Sequence, residues 1–108
     1  MLKKSIMILM MAGIAALGVY AQATNVAEKI VGTWVDQDGD IWTFRADGYL
    51  TVKDEDGDEI LERTRYAVTD TRMFFDDTVW DISMSADGRT LIIAELGDSS
   101  GYLLTKRR

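Results

Sequence analysis

Cysteine, histidine and proline are all missing from the 108 residues. Without cysteine there is no disulfide, no thiol nucleophile and no N-terminal site for lipid attachment. Without histidine the usual general base near neutral pH is gone, and with both absent so are the ordinary zinc, copper and haem ligands. Basic residues are scarce as well: 12 against 18 acids, with no basic run before the last three positions. Nucleic-acid binding demands Lys/Arg surfaces, so that class is excluded. Serines beyond the N-terminal segment sit only near Ser83–Ser85 and at Ser99–Ser100, with no base to activate them. The acids concentrate in turns, where carboxylates are solvated rather than paired for acid–base work. No enzyme, no cofactor and no metal are expected.

What is present divides at the N-terminus. Lys3 and Lys4 precede an apolar run from Ile6 to Val19, and Ala21-Gln22-Ala23 places small residues where a signal peptidase reads. A positive start, an apolar run too short for a bilayer and an A-x-A exit form a secretory signal. Residues 1–23 are therefore expected to be a signal peptide and 24–108 the exported domain, periplasmic or secreted and not membrane-anchored. Cleavage would leave 85 residues with a net charge of −8. A domain that size buries only about 60% of its unfolded surface, so large side chains must supply the packing. Three Trp, three Phe and all but one of the four Tyr, Tyr20, fall within it.

Four Asp-Gly pairs punctuate the domain, at 38–39, 47–48, 56–57 and 87–88. Asp-Gly between β-patterned runs signals a hairpin, because type I′ turns need φ > 0 at both central residues. The first three pairs recur every nine residues, as two turn residues plus a seven-residue strand would. Weaker turns at 69–71, 76–77 and 97–101 complete a set of seven separating eight strands. Those strands are predicted at 32–37, 40–46, 49–54, 59–68, 72–75, 78–85, 90–96 and 102–107, after a helical turn at 25–30 capped by Asn25. Every connection is too short for a crossover, so all neighbouring strands run antiparallel.

Alternation sorts the faces. Trp42 and Phe44 oppose Thr43 and Arg45, Leu50 and Val52 oppose Thr51 and Lys53, and Trp80, Ile82 and Met84 oppose Asp81, Ser83 and Ser85. Tyr66, Val68, Met73, Phe75, Leu91, Ile93, Tyr102 and Leu104 complete the apolar face. Such a meander buries one face most simply by closing into a barrel, which also removes exposed edges. The fold class is all-β, an eight-stranded up-and-down barrel.

Gly32-Thr33-Trp34 opens this meander, followed by Thr43-Phe44-Arg45-Ala46-Asp47-Gly48, Tyr66 and Asp87-Gly88-Arg89-Thr90-Leu91. The pattern resembles the small bacterial lipocalin-like domains over essentially the whole exported part. The resemblance implies that Trp34 plugs one barrel end beneath a basic side chain from after the last strand, Lys106 or Arg108. Such a domain would carry a small apolar ligand or none. The tight turns here replace the long mouth loops of full-length lipocalins.

A barrel of eight strands is filled by side chains or holds one small ligand. Seven large rings point inward, which favours a packed core. If a cavity exists, its expected walls are Trp42, Phe44, Tyr66, Trp80 and Met84. Turn parity adds an acidic rim, since alternate turns share an end: Asp36, Asp38, Asp40, Asp54, Asp56 and Asp58 gather there with Glu55, Glu59, Asp76, Asp77 and Asp98, and with only Lys53 nearby. Lys29, Arg45, Arg72, Arg89 and the basic C-terminus take the other end. The rim offers oxygens that Ca²⁺ could use, although the spacing is not that of an EF-hand. It equally offers a docking face for a basic protein surface, or only turn chemistry and solubility. The leading expectation is a non-enzymatic, monomeric binding domain, and the alternative is a protein-interaction or inhibitor module acting through the rim.

Overall fold

The computed structural model describes residues 25–97 and 100–107. The proposed signal segment and its cleavage point, Asp98 of the rim and Arg108 lie outside the described residues. A one-turn helix α1 (Val26–Lys29) leads into β1 (Gly32–Val35), β2 (Ile41–Phe44), β3 (Tyr49–Lys53) and β4 (Glu59–Val68). β5 (Arg72–Phe75), β6 (Thr78–Met84), β7 (Thr90–Glu95) and β8 (Gly101–Lys106) follow. Each strand pairs antiparallel with the next, and β8 pairs with β1 through Trp34–Lys106 and Val35–Thr105, closing the barrel. The eight-stranded meander is as the turn spacing predicts.

The hairpins differ from expectation in a way that shortens the strands. At the first turn the Gly39 N–H donates to the Asp36 carbonyl and the Asp36 N–H to the Asp40 carbonyl. Gly39 has φ 85° whereas Asp38 is not left-handed, so this is a type I turn closed by a glycine bulge rather than a two-residue type I′ turn. Arg45–Tyr49 and Asp54–Asp58 repeat that bonding. The nine-residue period survives because a longer loop and a shorter strand still sum to it. The true type I′ turn is Asp76-Asp77, with φ 53° and 57°, between the paired Phe75 and Thr78. Asn25 stands at the helix cap, but its backbone carbonyl rather than its side chain receives the Glu28 and Lys29 N–H groups.

Strand parity places the core. Trp34, Leu50, Met73, Leu91, Ile93 and Leu104 are fully buried, and Trp42, Phe44, Val52, Phe75, Ile82 and Met84 nearly so. Tyr66, Val68, Trp80 and Tyr102 pack against them. β5 follows the same parity, since Phe74 is 42% exposed while its neighbours Met73 and Phe75 are buried, whereas β7 is buried on both faces. Ile92 and Ala94 are buried too, without joining the core cluster.

One strand outruns its partner. β4 has ten residues, yet only Tyr66, Ala67 and Val68 pair with β5. Its first half leans on β3 alone, with register shifts on both sides of Val52. A lateral cleft of about 460 Å³ opens there, between Thr64–Arg65 and the Phe74–Val79 hairpin.

Candidate functional site

The two barrel ends are built differently. At the end bearing the helix, Trp34 is completely buried and its Nε1–H donates to the Ile30 carbonyl at 2.8 Å. Lys106 Nζ lies 5.4 Å from the Trp34 ring centroid and donates to the Lys29 carbonyl at 2.6 Å. Gly32 explains its own place in the G-x-W triplet. Its φ is +137°, and a Cβ there would come within 3.0 Å of the Lys106 stem. Val26 and Ile30 are buried beneath the helix, and the Val26 N–H reaches Asp70 at 3.4 Å. This end is a capped floor.

The other end is open. A cavity of about 220 Å³ sits just inside the rim. Four rings wall it: Trp42, Phe75, Trp80 and Tyr102. They touch in a closed cycle, with centroid separations of 6.0 Å for Trp42–Phe75, 4.8 Å for Phe75–Trp80, 6.1 Å for Trp80–Tyr102 and 5.1 Å for Tyr102–Trp42. Val52, Ile60 and Leu61 add aliphatic wall, and Asp36, Asp40 and Asp76 stand at the mouth. The Trp80 Nε1 is buried and meets no acceptor among the described residues.

Asp36 ties the rim to the cavity wall. It is a carboxylate only 6% exposed. Its Oδ1 accepts from the backbone N–H groups of Asp38 at 2.8 Å and Asp40 at 3.0 Å, and its Oδ2 from the Trp42 Nε1–H at 3.0 Å. The first two bonds are the reason for Asp at the start of the turn, and Asp54 repeats them toward Asp56 and Asp58. Carboxylate oxygens of Asp36, Asp38 and Asp40 lie within 4.8 Å of one another. With both Asp36 oxygens already holding N–H donors, the trio is accounted for by turn formation and falls short of the roughly six to eight oxygens Ca²⁺ requires. Burial, together with Asp36, Asp38, Asp54 and Glu55, raises the pKa of Asp40. The first and third turns therefore do share one rim.

The expected cavity residues separate into two groups. Trp42 and Trp80 line the cavity. Phe44 and Met84 are buried next to the turns of the capped end and do not, and Tyr66 packs edge-on to Phe44 at 5.2 Å with its hydroxyl donating to the Arg45 carbonyl. Burial, and secondarily Asp47, raises the Tyr66 pKa. Phe75, Tyr102 and Asp76 were not expected as cavity walls. The signal for them was available: an inward ring next to an odd-numbered turn belongs to the open end, and one next to an even-numbered turn to the floor. The rim residues Asp54, Asp56 and Asp58 lie in the third turn, outside the cavity lining. Lys106 caps Trp34 as described, while Arg108 lies outside the described residues.

No protein-family model matches the chain, and no curated protein is significantly similar to it.

Proposed function

We propose that the protein is an exported, non-enzymatic, lipocalin-like binding domain that holds one small, ring-sized apolar ligand at the open end of its barrel. The observation that carries this reading is the cycle of four aromatic rings around a 220 Å³ cavity behind a polar rim. Apolar walls with a few fixed polar groups are the mark of a ligand pocket, and a drug-sized guest wants roughly 300–1,000 Å³. The guest is accordingly smaller than that. The Gly32–Trp34–Lys106 arrangement at the capped end supports the lipocalin-like assignment, and the lack of histidine and cysteine supports a binding rather than a catalytic role.

Titration with nitrobenzene, a neutral single-ring aromatic probe that quenches indole on contact, is expected to quench tryptophan emission saturably and to give a binding heat in calorimetry. Leu61→Trp, which fills the cavity from its aliphatic side, is expected to abolish both changes in a protein that still unfolds cooperatively. Unaltered binding in the filled variant, or no binding to the parent protein, would refute the proposal.

A further inference from the structure

Resting on that reading, we infer that the cavity selects an organic cation: an ammonium group carrying apolar substituents, seated among the rings with its charge toward the mouth. Two independent features converge on this charge. Trp42, Phe75, Trp80 and Tyr102 line the cavity, and a cation within about 6 Å of a ring face left open to it is attracted by the negative side of that ring's quadrupole. Asp36, Asp40 and Asp76 are part of the same cavity's lining, so the mouth has net negative charge in partly desolvated surroundings. Lys53 follows the inward Val52 and is exposed on the outer face by strand parity, so it does not neutralise the lining. Asp36 is occupied by N–H donors, but those donors are neutral and its formal charge remains. A neutral hydrocarbon would use the rings and ignore the carboxylates, and an anion would be repelled by both.

An isosteric series isolates the charge: choline, 3,3-dimethylbutan-1-ol and 3,3-dimethylbutanoate have nearly the same shape and carry +1, 0 and −1. Affinities for the protein measured by calorimetry and tryptophan quenching are expected to fall in that order, the cation binding about tenfold or more tighter than the alcohol. In the Asp40→Asn/Asp76→Asn double variant the cation-to-alcohol ratio is expected to fall by about threefold or more at the same salt concentration, the rings and Asp36 retaining the remainder. Both substitutions keep side-chain size, and Asn tolerates the positive φ at position 76. Equal affinity for cation and alcohol would overturn the charge inference and leave the apolar cavity standing. A preference that persists undiminished in the double variant would overturn it as well, because the rim would not be its source. Failure of all three ligands and of the neutral aromatic probe would overturn the cavity reading itself.

Discussion

Asp36 is the side chain on which the open end most depends, and Asp36→Ala is the perturbation that shows it. The substitution removes the acceptor for three N–H groups. The Asp38 and Asp40 amides lie in a turn that water can reach, so each loss is worth about 0.5–1 kcal/mol. The Trp42 indole N–H is different, since it is left unpaired in a buried place at a cost of roughly 1–3 kcal/mol. Relief of repulsion with Asp38 and Asp40 returns a few tenths, about what an exposed charge pair is worth. The net loss is about 2–4 kcal/mol, against a total stability of roughly 4–13 kcal/mol for a domain of this length. With a urea slope near 1 kcal/mol/M, the midpoint should fall by about 2–4 M. Trp42→Phe in the same assay completes a double-mutant cycle, and a coupling of about 1–2 kcal/mol is expected between the two positions. Additive effects, or an Asp36→Ala loss below about 0.5 kcal/mol, would show that the carboxylate does not hold the indole and would refute the reasoning.

Lys106→Met keeps the stem over Trp34 but removes the cation and its bond to the Lys29 carbonyl; a loss of about 1–2 kcal/mol is expected, lowering Tm by roughly 5–10 °C in a calorimetric scan. Asp77→Gly relieves a non-glycine residue at φ 57° in the type I′ turn. It should stabilise the protein by about 1 kcal/mol in urea unfolding, and a loss of stability would contradict the turn assignment. Asp40 has a folded pKa above its ordinary value of 3.8, so its ionisation opposes folding. Asp40→Asn should therefore stabilise at pH 7, and that gain should shrink as pH falls through the raised pKa and vanish below 3.8, where Asp40 is protonated in both states. Asp47 and Asp87 run the other way: hydrogen bonds from Arg45 and Ser85 respectively lower their pKa values. Their contribution is present above pH 3.8 and is lost on acidification through the lowered values, which a pH series on Ser85→Ala would show as a weaker acid dependence.

Much of the barrel was legible because it is written in local grammar. Turn residues at fixed offsets set the strand count, and a period of two assigned Trp42, Phe44, Met73, Phe75, Leu91 and Leu104 to one face. Both rules depend on backbone geometry within a few residues, so no tertiary information was needed. The turn type was less legible, since Asp-Gly serves a type I′ hairpin and a glycine-bulged type I turn alike; the hydrogen bonds that the amides two and four residues on donate to the Asp36 and Asp54 carboxylates decided between them.

The cavity lay beyond such rules. Inward rings predict a filled interior as readily as a hollow one, because volume depends on how strands tilt and where a register slips. Here the shifts around Val52 and the overreach of β4 belong to the strands beside the cavity. They leave the open end walled by the Trp42–Phe75–Trp80–Tyr102 cycle while the helix, Trp34 and Lys106 close the other. The sequence by itself determined the strands, their order and the face each side chain takes, since these follow from pairs and turns close in the chain. Tertiary structure alone decided that the end opposite the Trp34 plug is hollow, because that depends on residues dozens of positions apart meeting across the closed barrel.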